Sequence, residues 1–234
     1  GIGQADYQLY DQQITDKAVE WLEAHAGDTG KPWVLLVSYA SPHPPFQVPE
    51  RFWNLYPLDQ VPMPVQWRKA DQPQHPATQY LSWMNSFDED FSEDFIRRVI
   101  AGYCGLISVV DEHVGTVMAA AQRLGLMDTT RVIYTSDHGY NLGEHGVWYK
   151  GNSIYALTRN PPQKWKNIPA NRRPNLWETS LRVPTAVRWP GVTKPGSVSK
   201  ALVSNVDYAQ TFLDMAGLPS PAEMQGRSLK PILA

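Results

Sequence analysis

Between Asp137 and Lys150 the chain reads Asp-His-Gly-Tyr-Asn-Leu-Gly-Glu-His-Gly-Val-Trp-Tyr-Lys, which packs two acids, two histidines and a lysine into one short segment. The apolar run Val132-Ile133-Tyr134-Thr135 stands directly before it. A strand that stops at Ser136 would leave Asp137 and His138 at its carboxyl end, where open α/β sheets place their ligands. A carboxylate beside an imidazole suits a divalent cation. The glycines that follow let backbone approach an anion, and Lys150 adds a point charge for it. These residue types point to metal-assisted chemistry on an anionic ester. Plainer roles compete: Asp137 capping a turn, His138 satisfying a backbone carbonyl, and Lys150 as an ordinary solvated lysine.

The elements that must hold these residues follow from periodicity. Ile14, Ala18, Trp21, Leu22 and Ala26 recur at helical spacing, with Thr15 or Asp16 as a cap and Gly27 as the end. Residues 33–38 form a continuous apolar run that suits a strand buried on both faces. His43 would then follow a strand end, in a loop stiffened by Pro42, Pro44 and Pro45. Residues 41–87 read as a long loop, a length that implies function or partial helix. From 92 to 124 one apolar stripe runs through Ile96, Val99, Ile100, Tyr103, Ile107, Val110, Val114 and Val117. Gly102, Gly105 and Gly115 each cost such a helix about 1 kcal/mol relative to Ala, which predicts a break or close packing there. His113 falls off the stripe and is expected in solvent. Further strands are expected at 132–136 and 184–188, and a helix at 207–216 ended by Gly217. This alternation predicts an α/β fold with a mostly parallel sheet sandwiched by helices.

Composition narrows the partners. With 21 Lys+Arg against 23 Asp+Glu the formal charge is −2, which gives no general attraction to nucleic acid or to acidic membranes. No uninterrupted apolar run reaches the ~18 residues of a membrane span, and the first residues given have no charged-then-apolar signal pattern, which leaves secretion undecided. Neither nucleic acid nor a membrane is therefore expected as a partner. The single cysteine, Cys104, excludes an internal disulfide and a cysteine zinc cluster. Its place within the long helix marks it as an inert core thiol.

Several segments together resemble the sulfatases of the alkaline-phosphatase-like superfamily. Ser136-Asp137-His138-Gly139, Leu142-Gly143-Glu144-His145-Gly146 and Trp148-x-Lys150 resemble the family's metal motif. Ser41-Pro42-His43-Pro44-Pro45-Phe46 resembles its His-x-Pro-Phe segment. Val110-Asp111 and Gly115 resemble the end of its Asp-x-x-x-Gly helix. Glu178-x-x-x-Arg182-Val183-Pro184, followed by Trp189-Pro190-Gly191, and the blocks 206–217 and 225–229 match its later elements. The resemblance implies hydrolysis of a sulfate ester, possessed of calcium at Asp137 and His138, although an Asp-His pair suits manganese or zinc at least as well. It implies Lys150 on the sulfate or its leaving oxygen. It also implies His43 against the substrate, where an imidazole titrating near neutrality could serve as general acid. His145 would line the pocket or brace the loop that carries Lys150. A periplasmic or secreted location is favoured by the resemblance, and the oligomeric state is left open.

The family's amino-terminal paired aspartates and its Cys-x-Pro-x-Arg or Ser-x-Pro-x-Arg segment, source of the formylglycine nucleophile, do not occur in these 234 residues. The expectation is a partial catalytic domain, residues 1–234, with the nucleophile segment and a small carboxy-terminal subdomain outside it. Residues 151–176 read as an insertion in which Arg159, Lys164, Lys166, Arg172 and Arg173 surround Trp165. Cations around an aromatic face suit an anionic sugar, so Trp165, Arg172 and Arg173 are candidate substrate contacts; a solubilising loop is the competing reading. Two rival functions remain: a phosphonate monoester or phosphodiester hydrolase of the same fold, and a non-catalytic module that binds a sulfated glycan.

Overall fold

A computed structural model of the chain describes residues 1–28, 30–84, 90–150 and 176–233. In chain order it contains helix α1 (Asp6–His25), the short helix α2 (Glu50–Trp53), α3 (Pro76–Met84) and the long helix α4 (Glu93–Arg123). Strands β1 (Val132–Tyr134), β2 (Asn141–Leu142) and β3 (Trp148–Tyr149) follow, then α5 (Glu178–Leu181), β4 (Ala186–Arg188), α6 (Asp207–Met215) and α7 (Lys230–Leu233). The chain divides into two compact units. The first comprises residues 1–125 and 138–182, and the second residues 126–137 and 183–234.

In the first unit α4 is the spine. Ser92 caps it by accepting the Phe95 N–H at 3.2 Å, and Glu93 and Asp94 in the first turn favour the positive end of the helix dipole. The helix runs unbroken through its glycines. A Cβ at Gly102 would lie 3.1 Å from the Phe46 Cβ, and one at Gly105 would lie 2.7 Å from Val48 Cγ1. Two glycines therefore open a groove in which residues 46–48 lie, while Gly115 faces open space. Val48, Phe52, Leu106 and Val109 form the core beneath, with Phe46 and Trp53 packed on it. By length and composition α4 could also cross a membrane, but this packing is that of a core helix.

Helix α1 starts at Asp6, well before the expected cap at Thr15 or Asp16. Its buried positions are Gln8, Asp11, Thr15, Ala18 and Leu22. They follow one helical face, but the first three are polar, so hydrophobic periodicity detects only the second half of the helix. That polar half explains a second correction. His113 is only 6% exposed, because Thr15 Oγ1 meets its Nδ1 at 3.0 Å and Tyr39 stacks on its ring at 5.5 Å.

Residues 33–39 join no ladder among the described residues and are not a doubly buried strand. Their exposure alternates: Val34 and Leu36 are 80% and 87% exposed, whereas Trp33, Leu35, Val37 and Tyr39 are partly covered. Apolar composition can mark a strand, but a ladder also needs a partner, and none of the described residues supplies one. Among the described residues the two ladders are antiparallel, β2 with β3 in the first unit and β1 with β4 in the second. Parallel pairing among the described residues is the bridge between Ile2 and Val48. The long 41–87 segment is partly helical, as its length implied. In the second unit, α6 ends at Gly217 with φ +71, the left-handed stop that glycine supplies.

Candidate active site

The His43 loop follows Tyr39. The Asp11 carboxylate accepts the Ala40 and Ser41 N–H groups at 2.7 and 2.9 Å, and His43 N–H closes a turn onto Ala40 O at 3.0 Å. The Ser41–Pro42 and Pro44–Pro45 bonds are cis. The loop's far side is held by Tyr7 Oη on Pro45 O at 2.7 Å and Gln8 Nε2 on Gln47 O at 2.7 Å. His43 itself is exposed, and its Nδ1 meets Pro44 O at 2.7 Å. With a proton on Nδ1, Nε2 would be an acceptor; protonated on both nitrogens, the ring could deliver a proton from Nε2.

Residues 139–150 fold as a hairpin. Asn141 pairs with Tyr149 and Leu142 with Trp148, around a turn in which Gly143, His145 and Gly146 all have positive φ. Tyr149 also takes a left-handed φ of 76, uncommon for a bulky residue outside a constrained site. The buried Asn141 holds it there by donating Nδ2 to Tyr149 O at 2.6 Å. Lys150 is thereby aimed by the residue before it. Its Nζ lies 5.9 Å from the Tyr149 ring centroid, and no described carboxylate forms an ion pair with it.

The turn at α5 braces this hairpin from outside. Gly139 N–H donates to Ser180 O at 2.8 Å, and a Cβ at Gly139 would come within 2.0 Å of Thr179 O. Only glycine fits so close to a carbonyl. Ser180 Oγ donates to Lys150 O at 2.8 Å, and Thr179 Oγ1 donates to Asn141 Oδ1. Trp177 stacks on His145 at 3.8 Å and 15°. His145 is further engaged by Gln66, whose Oε1 lies 2.7 Å from Nδ1, and its own N–H reaches Val65 O at 2.9 Å.

One aromatic cluster joins the His43 loop, the hairpin and α4. Phe46 meets Tyr103 and Tyr140 edge-on, each at 5.6 Å. Tyr140 in turn lies 5.7 Å from Tyr103 and 5.6 Å from Tyr149. Burial, reinforced by Tyr149 and Tyr103, pushes the Tyr140 hydroxyl far up, so this phenol stays neutral. Three of the four rings are within three residues of a motif position: Phe46 of His43, Tyr140 of His138, Tyr149 of Lys150.

Asp137 follows the end of β1 in the second unit, and His138 is the first residue of the chain's return to the first. Asn205 donates to Asp137 O at 2.7 Å, and Ser136 Oγ reaches Asp137 Oδ1 at 3.3 Å. His138 Nδ1 lies 2.9 Å from Gly139 O; a proton there leaves the lone pair on Nε2, the tautomer a metal-binding imidazole needs. The donor types fit a divalent cation. Their number does not complete a site: the described residues contain no group of three or more His, Cys, Asp or Glu that could hold a metal, and calcium takes six to eight oxygens.

Trp165, Arg172 and Arg173 lie outside the described residues, as does nearly all of the 151–176 insertion. Residues that sequence reasoning passed over are Asn141, Thr179, Ser180 and the tyrosines of the cluster. Their neighbours Gly139 and Glu178 were visible as motif members, but a bracing hydroxyl has no sequence signature of its own. Cys104 is half-buried, and burial pushes its thiol up, in keeping with an inert role.

These elements define an alkaline-phosphatase-like α/β hydrolase fold. The sulfatase family model matches residues 3–218, and the chain belongs to the sulfatase family. It is 31% identical to mouse (Mus musculus) iduronate 2-sulfatase over 91% of this chain and 41% of that protein. It is 37% identical to a Bacteroides thetaiotaomicron N-acetylglucosamine-6-O-sulfatase over 58% of this chain and 20% of that protein. Among solved structures, the phosphonate monoester hydrolase of Silicibacter pomeroyi superposes with a TM-score of 0.73 at 25% identity, over 95% of this chain and 41% of that one. The chain thus spans less than half the length of these relatives. The family generally uses a divalent metal ion.

Proposed function

We propose that this chain is part of a sulfuric ester hydrolase that cleaves the sulfate ester of a carbohydrate. The observation that carries the reading is the Phe46–Tyr103–Tyr140–Tyr149 cluster, which ties together the loops bearing His43, His138 and Lys150. Lys150, aimed by the strained Tyr149, places an ammonium on the sulfate or its bridging oxygen, where negative charge develops. His43 is the general acid that protonates the departing alcohol oxygen. Asp137 and His138 are two ligands of a divalent cation, calcium in this reading. Bound there, the cation would neutralise sulfate oxygens. The attacking nucleophile is not among these residues. His145, covered by Trp177 and engaged by Gln66, braces the Lys150 loop. Trp165, Arg172 and Arg173 are assigned to the organic part of the substrate; two relatives named for sugar sulfates, iduronate and N-acetylglucosamine, support a carbohydrate there.

The likeness to a phosphonate monoester hydrolase favours that chemistry as a second reading. Full-length protein assayed on 4-nitrophenyl sulfate, sulfated monosaccharides and phenyl phosphonate monoesters separates the two. A higher kcat/KM on sulfate esters supports the proposal, and a preference for the phosphonate replaces it.

A further inference from the structure

The polar half of α1 has no part in the chemistry proposed above, yet it is buried more completely than most of the core. Asp11 and Thr15 are both 0% exposed. A buried carboxylate is costly unless it is hydrogen-bonded, and Asp11 spends both oxygens on consecutive backbone N–H groups, Ala40 at 2.7 Å and Ser41 at 2.9 Å. Charge-assisted bonds of this kind are the stronger sort, and a two-point grip fixes direction as well as distance. What it grips is the foot of the loop carrying His43. The Ser41 side chain does not share the task, since its Oγ has no hydrogen-bond partner among the described residues.

The neighbours of Asp11 on the same helix continue the grip. One turn before it, Tyr7 Oη donates to Pro45 O at 2.7 Å, on the far side of His43. Burial, with Asp11 behind it, pushes that phenol up to about 12, so it remains a neutral donor. One turn after Asp11, Thr15 Oγ1 lies 3.0 Å from Asp11 O, 3.2 Å from Tyr39 Oη and 3.0 Å from His113 Nδ1. One hydroxyl proton cannot serve all three contacts, so at least one neighbour donates in turn. The network thereby joins α1, the residue preceding Ala40, and α4.

We propose that Asp11, seconded by Tyr7, is a positioning residue for His43: the polar face of α1 clamps both feet of the His43 loop and sets where the imidazole stands. The inference rests on His43 acting in the reaction as proposed above. Asp11 touches no substrate and acts through the loop alone.

The test is a double-mutant cycle on the full-length protein with 4-nitrophenyl sulfate, comparing wild type, Asp11→Asn, His43→Ala and the double variant. Misplacing a reacting group by about 1 Å costs on the order of 100-fold in rate, so Asp11→Asn should lower kcat by about 10- to 100-fold. KM should stay within about threefold, because the substrate's other contacts are untouched. If Asp11 works through His43, the same substitution should change kcat by less than about twofold in the His43→Ala background. A full additional loss there, or a kcat that Asp11→Asn leaves unchanged, overturns the clamp. A His43→Ala variant as active as wild type instead overturns the role of His43, and the clamp's function with it. Should Asp11→Asn fail to fold, Tyr7→Phe takes its place in the cycle, with an expected loss of about 3- to 10-fold that again vanishes without His43. An equal loss in both backgrounds, or none in wild type, then overturns the proposal.

Discussion

Two glycines of α4 should respond in opposite directions to the same substitution. At Gly115 nothing lies within 4 Å of an added Cβ, so Gly115→Ala collects only the helix-propensity gain of about 1 kcal/mol. At Gly105 the Cβ would stand 2.7 Å from Val48 Cγ1 and 3.3 Å from Cγ2. Val48 is 0% exposed and packed among Phe52, Leu106 and Val109, so it cannot rotate away without displacing them. Overpacking of this kind costs about 1–3 kcal/mol. After the propensity gain, Gly105→Ala is expected to be destabilising by up to about 2 kcal/mol. Thermal melting of both variants in one background reads the result, at about 2–4 °C per kcal/mol for a unit of 150–250 residues. Gly115→Ala should melt above wild type and Gly105→Ala at or below it. Because Val48 continues the His43 loop, Gly105→Ala should also lose activity on a sulfate ester while Gly115→Ala keeps it. A Gly105→Ala protein that melts as high as Gly115→Ala would refute the claim that α4 seats residues 46–48 through its glycines.

Other expectations concern the hairpin, the cation and the thiol. Asn141→Ala removes the bond to Tyr149 O and leaves Thr179 without its acceptor, so kcat should fall by about 10-fold or more with a loss of about 1–3 kcal/mol in stability; activity and melting on one preparation check both. Gly139→Ala drives a methyl into the Thr179 carbonyl and should yield protein that is insoluble or melts far below wild type. Chelation with EGTA should abolish sulfate release from the full-length protein, and calcium should restore it; restoration by manganese or zinc alone would reassign the metal. Burial raises the Cys104 thiol, which depletes the thiolate at any pH below its shifted value. Alkylation by iodoacetamide at pH 8 should therefore be slow in native protein and rapid once urea exposes the residue.

How much of this was legible beforehand depended on what signal each element leaves in sequence. The long helix, the strand before Asp137, the helix ended by Gly217 and the helical content of 41–87 follow from periodicity, a glycine stop and loop length. The start of α1 did not, because its buried face there is Gln8, Asp11 and Thr15, and a hydrophobic pattern is blind to a polar core. His113 was misassigned to solvent for the same reason: its partner is a hydroxyl on another helix. Residues 33–38 have a strand's composition, but pairing is a property of two segments, and no described residue pairs with them. At the candidate site, residue types singled out Asp137, His138, Lys150 and His43 as candidates. They could not identify the brace, since Thr179 and Ser180 reach Asn141, Gly139 and Lys150 across some thirty to forty residues of chain.

The central claim is that His43 and Lys150 serve one reaction on a sulfate ester. Steady-state sulfate release by full-length His43→Ala and Lys150→Ala proteins, each with its melting temperature, tests it most directly. Loss of one charge-stabilising donor costs on the order of 100- to 1000-fold in kcat, so Lys150→Ala should fall by that much, and His43→Ala by about 100-fold or more, at melting temperatures close to wild type. Both variants turning over within about threefold of wild type would contradict the account, since that is far less than removal of either a general acid or a charge-stabilising donor should cost.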